Sequence, residues 1–153
     1  MKYRLGLILV LFSHLAWAGE GPFSLGAIIG DPTGISAKYD LEPMRAIDGS
    51  LSYSLGNRSG AQMHADYLIT RPDEVDAGDT GLDVYYGVGA RLITLNHGDD
   101  KGKVSFGPRV PIGFRHELKD PSVEFFGEIA LVLDVTPSTA ADVDLGIGAR
   151  YRF

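Results

Sequence analysis

The chain of 153 residues contains no cysteine, so no disulfide can staple it. A small protein without cross-links must be held by its core, a metal or a membrane. Tryptophan is almost missing too, since the single one is Trp17, close to the N-terminus. Basic charge is scarce: 14 Lys and Arg stand against 20 Asp and Glu, for a formal net charge of −6. That balance argues against nucleic acid as a partner. Beyond residue 18 there is no long hydrophobic run. The longest wholly apolar stretch is Ile129 to Leu133, far short of the roughly 20 residues a transmembrane helix needs. If this chain enters a membrane, it does so with strands.

What is present begins with an export signal. Lys2 and Arg4 supply a positive N-terminus, Leu5 to Phe12 is apolar apart from one glycine, and Ala16-Trp17-Ala18 is a small-x-small cleavage pattern. This is the three-part pattern of a secretory signal peptide, with an apolar segment too short to span a bilayer as a helix. Residues 1–18 are therefore expected to be the signal peptide, and residues 19–153 a single domain.

The remainder divides into segments of alternating polarity punctuated by Gly, Pro, Asn and Asp, the pattern of half-buried strands joined by turns. Eight strands are expected: Phe23–Ile29, Gly34–Asp40, Ala46–Leu55, Gln62–Thr70, Leu82–Leu95, Val104–Leu118, Val123–Val135 and Val143–Phe153. No helical segment intervenes. An even number of hairpin-connected strands predicts an all-β, eight-stranded antiparallel up-and-down barrel.

The direction of the faces decides what kind of barrel. In the last strand Val143, Leu145, Ile147, Ala149, Tyr151 and Phe153 share one face, and Asp144, Gly146, Gly148, Arg150 and Arg152 the other. Across all strands the polar faces carry charges of both signs. Lys38, Arg91, Arg109, Arg115 and Arg150 stand against Asp48, Asp66, Asp83, Glu124, Glu128, Asp134 and Asp144, with His64 among them. Many glycines lie on the same faces, including Gly26, Gly87, Gly89, Gly107, Gly113, Gly146 and Gly148. A solvated surface has no use for so much glycine, which weakens a strand and packs against nothing. A narrow lumen does, because long arginines need small neighbours, and eight strands enclose an interior just wide enough for side chains to fill. Charges there must be paired, since losing a partner costs about 3–5 kcal/mol. The faces are thus read as polar-in and apolar-out, which makes the barrel transmembrane.

The outward aromatics support that orientation. With the N-terminus on the periplasmic side, Phe23, Tyr39, Tyr67, Tyr86, Phe114, Phe125, Tyr151 and Phe153 all fall toward the periplasmic end, and only Tyr53 and Phe106 toward the outer end. Aromatic girdles at the membrane boundary characterise transmembrane barrels.

Taken together, these features resemble the small eight-stranded outer-membrane barrels of the OmpA/OmpX type. More narrowly, four stretches are similar to a family of small outer-membrane β-barrels of unknown function: Gly30-Asp31-Pro32-Thr33-Gly34-Ile35-Ser36-Ala37-Lys38, His64-Ala65-Asp66-Tyr67, Tyr85-Tyr86-Gly87-Val88-Gly89-Ala90-Arg91 and Leu133-Asp134-Val135-Thr136-Pro137-Ser138. The resemblance implies a bacterial outer-membrane location, lipid and the assembly machinery as partners, and a final Tyr151-Arg152-Phe153 that this machinery reads. It carries no catalytic motif and no cofactor. A monomer is expected, and any surface ligand is unidentified. One departure concerns loops: the outer connections Gly30–Thr33, Gly56–Ala61, Asn96–Lys103 and Thr136–Asp142 are short, and Arg71–Gly81 is expected as a long periplasmic turn, the reverse of the usual arrangement.

Other chemistries fare less well. His64 and Asp66 have the residue types of an acid–base or metal pair, but both are expected within the lumenal polar network. His116 is expected on the outside near the periplasmic boundary. A lipid-modifying hydrolase of this architecture needs a His and a Ser close together on the outer surface with an acidic partner, and no His-x-Ser occurs beyond the signal peptide. Asp73-Glu74-Val75-Asp76-Ala77-Gly78-Asp79 does not match calcium-loop spacing and reads as a solvated acidic turn. A lipocalin-like periplasmic binder is the main rival, but it needs an apolar lumen. The prediction that belongs to the last strand is direct: deleting Phe153 lowers the folded outer-membrane yield, and an unchanged yield removes the assembly signal from the case.

Overall fold

The computed structural model describes residues 21–56, 59–76, 81–96, 98–119 and 122–153. The expected signal peptide lies outside them, as do His97 and parts of three expected turns. Eight strands follow one another: β1 (Phe23–Asp31), β2 (Thr33–Glu42), β3 (Arg45–Ser54), β4 (Gly60–Asp76), β5 (Gly81–Thr94), β6 (Val104–Lys119), β7 (Ser122–Asp134) and β8 (Ala140–Arg152). Each pairs antiparallel with the next, and β8 returns to β1, closing an up-and-down barrel. Closure leaves no edge with unpaired backbone groups. Gly26 marks the seam: it faces Ser36 of β2 on one side and Arg150 of β8 on the other.

Alternation along each strand sets the two faces. In β3, Ala46, Asp48, Ser50 and Ser54 are buried while Ile47, Leu51 and Tyr53 are exposed. In β7, Glu124, Phe126, Glu128, Ala130, Val132 and Asp134 are buried and Phe125, Ile129, Leu131 and Leu133 are exposed. The whole molecule repeats this inversion of a soluble protein. Ile29, Leu51 and Ile147, for example, are each about two-thirds exposed, at 66%.

Two local features depart from a regular ladder. The expected turn Arg71–Gly81 is mostly strand, because β4 continues to Asp76. The continuation pairs Val75 with Leu82 and Asp76 with Gly81 after a register shift beginning at Arg71. Pro72, Asp73 and Glu74 read locally as loop, and the slack of the bulge accommodates them. Asp73 takes a left-handed φ of 52° there, and its backbone N–H donates to Asp83 Oδ1 at 3.1 Å. In β6, Pro111 has no N–H to give, and the pairing with β5 skips between Tyr86↔Ile112 and Gly89↔Arg109 without changing register.

At the opposite end the β1–β2 connection is tight, and the β5–β6 connection is the longest of the barrel. Between β1 and β2, Thr33 Oγ1 accepts the Gly30 N–H at 3.0 Å and donates to the Gly30 carbonyl at 2.8 Å. Gly30 has φ +151°, and a β-carbon on it would run into the Leu145 carbonyl and Gly146 Cα across the seam. Asp31 Oδ1 accepts from Ser54 Oγ at 2.5 Å and from the Leu55 N–H at 3.0 Å, tying this turn to the end of β3.

The lumen is filled as well as charged. Ile28, Ala46, Leu68, Tyr85 and Phe126 form a buried apolar cluster inside the barrel, which the reading of charged inner faces had not assigned. The Phe126 ring fits because position 148, opposite it on β8, is glycine. A β-carbon at Gly148 would collide with both that ring and the Ala27 carbonyl. Gly148→Ala is therefore expected to destabilise the barrel by about 1–3 kcal/mol, the usual cost of overpacking. Urea titration of the barrel in detergent reads it, and an unchanged midpoint contradicts this packing.

Candidate functional site in the lumen

All thirteen residues expected to form the lumenal network face inward, and the structure gathers twelve of them into two ion-paired groups, with His64 beside Asp66. Eleven are buried: Lys38, Asp48, His64, Asp66, Arg91, Arg109, Glu124, Glu128, Asp134, Asp144 and Arg150. Asp83 and Arg115 are half-buried toward the end where β1 begins.

Three arginines act as hubs. Near the β1-start end, Arg150 donates to Glu124 Oε1 at 3.0 Å and to Asp48 Oδ2 at 2.8 Å. The same guanidinium reaches Ser36 Oγ at 2.8 Å and lies 3.9 Å from the centre of the Phe126 ring, a cation–π stack. Lys38 pairs with the other side of Glu124, and Arg115 joins that carboxylate at 3.4 Å and Asp83 at 3.2 Å. At mid-height Arg109 holds three carboxylates: Asp66, Glu128 and, through Nε at 3.2 Å, Asp144. The Tyr85 hydroxyl donates to Glu128 Oε2 at 2.9 Å, completing that oxygen pair. Higher still, Arg91 bonds Asp134 at 2.7 Å, Asp144 at 2.8 Å and Asp142 at 3.0 Å. Gln62 Nε2 donates to Asp144 at 3.0 Å. Asp144 thus links the middle hub to the upper one.

These contacts use arginine for its geometry: a planar fork with five donors in fixed directions suits two or three carboxylates arrayed around it. At the lower mouth Arg152 continues the column, bonding Asp40 at 2.9 Å and Glu117 at 3.0 Å.

Several network members lay outside the expected set: Ser36, Gln62, Tyr85, Phe126 and Asp142. The signal for most was the same two-residue period. Phe126 sits between Glu124 and Glu128 on one inward face. An aromatic there was legible only once the glycine opposite was known.

Ser50, His64 and Asp66 have the residue types of a nucleophilic triad. Ser50 Oγ lies 3.1 Å from His64 Nδ1, but His64 Nε2 is 3.8 Å from Asp66 Oδ2, beyond a hydrogen bond, and that oxygen is held by Arg109. All three are buried inside the wall. His116 is half-buried on the other face, its ring Nδ1 3.3 Å from the Gly81 carbonyl.

At the end of the chain, Phe153 stacks on Phe23 with ring centres 6.3 Å apart and meets Tyr151 edge-on at 5.1 Å. The Phe153 N–H donates to the Phe23 carbonyl at 2.9 Å, so the last residue extends the β1–β8 closure.

No protein-family model and no curated protein matches this chain. Solved structures do. The N-terminal β-barrel domain of OprF from Pseudomonas aeruginosa superposes with a TM-score of 0.63 at 14% identity, covering 88% of this chain and 99% of that one. Neisserial surface protein A superposes with a TM-score of 0.52 at 15% identity, covering 86% and 93%. The chain has the fold of the eight-stranded outer-membrane barrels. At these identities the likeness speaks for architecture.

The hubs generate a contrast in stability. Arg109→Leu takes a cation from three buried carboxylates, leaving Asp66 without its partner, and is expected to cost about 3–5 kcal/mol. Arg45→Leu, which removes only the exposed 3.7 Å pair with Glu42, is expected to cost about 0–1 kcal/mol. Urea unfolding in detergent compares them; similar losses from both contradict a lumen held by its ion pairs.

Proposed function

We propose that this chain is a monomeric, signal-exported outer-membrane β-barrel with a plugged, salt-bridged lumen and a structural or surface-interaction role. The observation that carries the reading is the inversion of polarity: the exposed face is a continuous apolar wall, and the charges lie inside. In water such a wall would be an aggregation surface many times larger than soluble monomers tolerate. In lipid it is the expected exterior, and the strands, each of nine residues or more, are long enough to cross.

The aromatic residues add a direction. Phe23, Tyr39, Tyr67, Tyr86, Phe114 and Phe125 are exposed toward the end where β1 begins, a girdle fitting the periplasmic boundary. Past it the extended β4–β5 hairpin projects with Arg71, Asp73 and Glu74. The connections at the opposite end, none longer than the nine residues between β5 and β6, favour a structural role over an adhesin built on long loops.

Two rivals are disfavoured by specific observations. A lipocalin-like carrier needs an apolar cavity, whereas this lumen is occupied by ion pairs around a small apolar cluster. A lipid-modifying enzyme needs its triad on the outer surface, and Ser50, His64 and Asp66 lie inside the wall.

Two measurements test the reading. The protein is expected in the outer-membrane fraction, with a folded form that migrates differently on gels before and after heating; a freely soluble periplasmic product overturns the membrane assignment. Reconstituted into planar bilayers, it is expected to show no sizeable steady conductance, and a large stable pore overturns the plugged lumen.

A further inference from the structure

Inside the barrel, between the Arg150 and Arg109 hubs, Asp48 on β3 and Asp66 on β4 stand directly opposite one another on the lumenal face. Like charges in that relation repel. His64 is two residues from Asp66 on the same strand and face, and a ligand atom from each of the three side chains lies within 4.8 Å of the others. All three are buried. Each carboxylate gives its Oδ2 to an arginine, Asp48 to Arg150 and Asp66 to Arg109, while Oδ1 of both is buried with no hydrogen-bond partner. A carboxylate oxygen so placed costs free energy unless something positive meets it.

The charge of the surrounding lumen points the same way. Among the described residues four cations are buried (Lys38, Arg91, Arg109 and Arg150) against six carboxylates (Asp48, Asp66, Glu124, Glu128, Asp134 and Asp144). The excess is two negative charges.

We propose that Asp48, His64 and Asp66 form a binding site for one divalent transition-metal ion, of which zinc is the representative. An imidazole nitrogen with two carboxylate oxygens suits zinc and its neighbours, while calcium and magnesium prefer all-oxygen sites. Surrounding groups are those that orient metal ligands. Ser50 Oγ lies 3.1 Å from His64 Nδ1 and can accept its N–H, which turns Nε2 toward Asp66. Arg109 and Arg150 hold Oδ2 of Asp66 and of Asp48, and Oδ2 of Asp66 is 3.8 Å from His64 Nε2. Zinc bonds of about 2.0–2.2 Å require the three side chains to draw together slightly. The ion cancels the lumenal excess and fastens β3 to β4 midway along the barrel. This inference concerns the lumen alone and stands or falls apart from the membrane assignment.

The test uses the untagged mature chain folded in detergent, carrying His97→Asn and His116→Asn so that His64 is its one histidine. After chelation, zinc chloride is added and binding is followed by calorimetry and by elemental analysis of the dialysed protein. One zinc per chain is expected, with binding weakened at least tenfold by the further change His64→Asn and undiminished by excess magnesium. NMR of the His64 ring supplies a readout that needs no lumenal variant: its resonances should shift in step with zinc and reach their limit at one equivalent. Absence of stoichiometric binding, equal binding by folded His64→Asn protein, or an unmoved His64 ring overturns the proposal.

Discussion

The structure depends on one constraint: charged side chains sealed inside a narrow protein wall must find their partners there. Water cannot screen them, so an unpaired charge would outweigh much of a small protein's marginal stability. Three arginines, Arg91, Arg109 and Arg150, meet that constraint by each serving more than one carboxylate. Glycine and serine at neighbouring inward positions make the necessary space. The apolar cluster of Ile28, Leu68, Tyr85 and Phe126 closes what remains, and Phe126 presents its ring to Arg150, so the two kinds of filling meet in one contact.

The outer face follows from the inner one. A period of two makes the residue after each lumenal charge point outward, and in this chain it is almost always apolar. Glu128 is followed by Ile129 and Asp144 by Leu145. The same covalent alternation therefore writes the charged lumen and the apolar wall at once. A register slip of one residue would turn charges into the wall and apolar groups into the lumen together, which makes pairing unusually unforgiving.

How much of this was legible beforehand differs by level. Strand number, order and facing direction follow from local alternation, and the identities of the inward charges follow with them. The pairing of those charges does not. Lys38 meets Glu124 and Arg150 meets Asp48 across 86 and 102 residues of sequence, because closure places β2 and β3 opposite β7 and β8. No local pattern carries that information. The reach of β4 was hidden for a different reason: Pro72, Asp73 and Glu74 are poor strand formers, and only pairing of the segment beyond them with Gly81 and Leu82 carries the strand on. Phe126 was obscured because an aromatic between two acids looks anomalous until the glycine facing it is known.

Asp144 leaves one consequence for how the lumen fails. Its two oxygens are divided between Arg91 and Arg109, so neither arginine can swing aside without exposing a carboxylate the other still holds. Through Glu128, Arg109 is tied in turn to Tyr85. The upper part of the lumenal ion pairs is thus one linked unit rather than a row of separate bonds. Loss of either arginine therefore disturbs the contacts of the other, and their contributions to stability do not simply add.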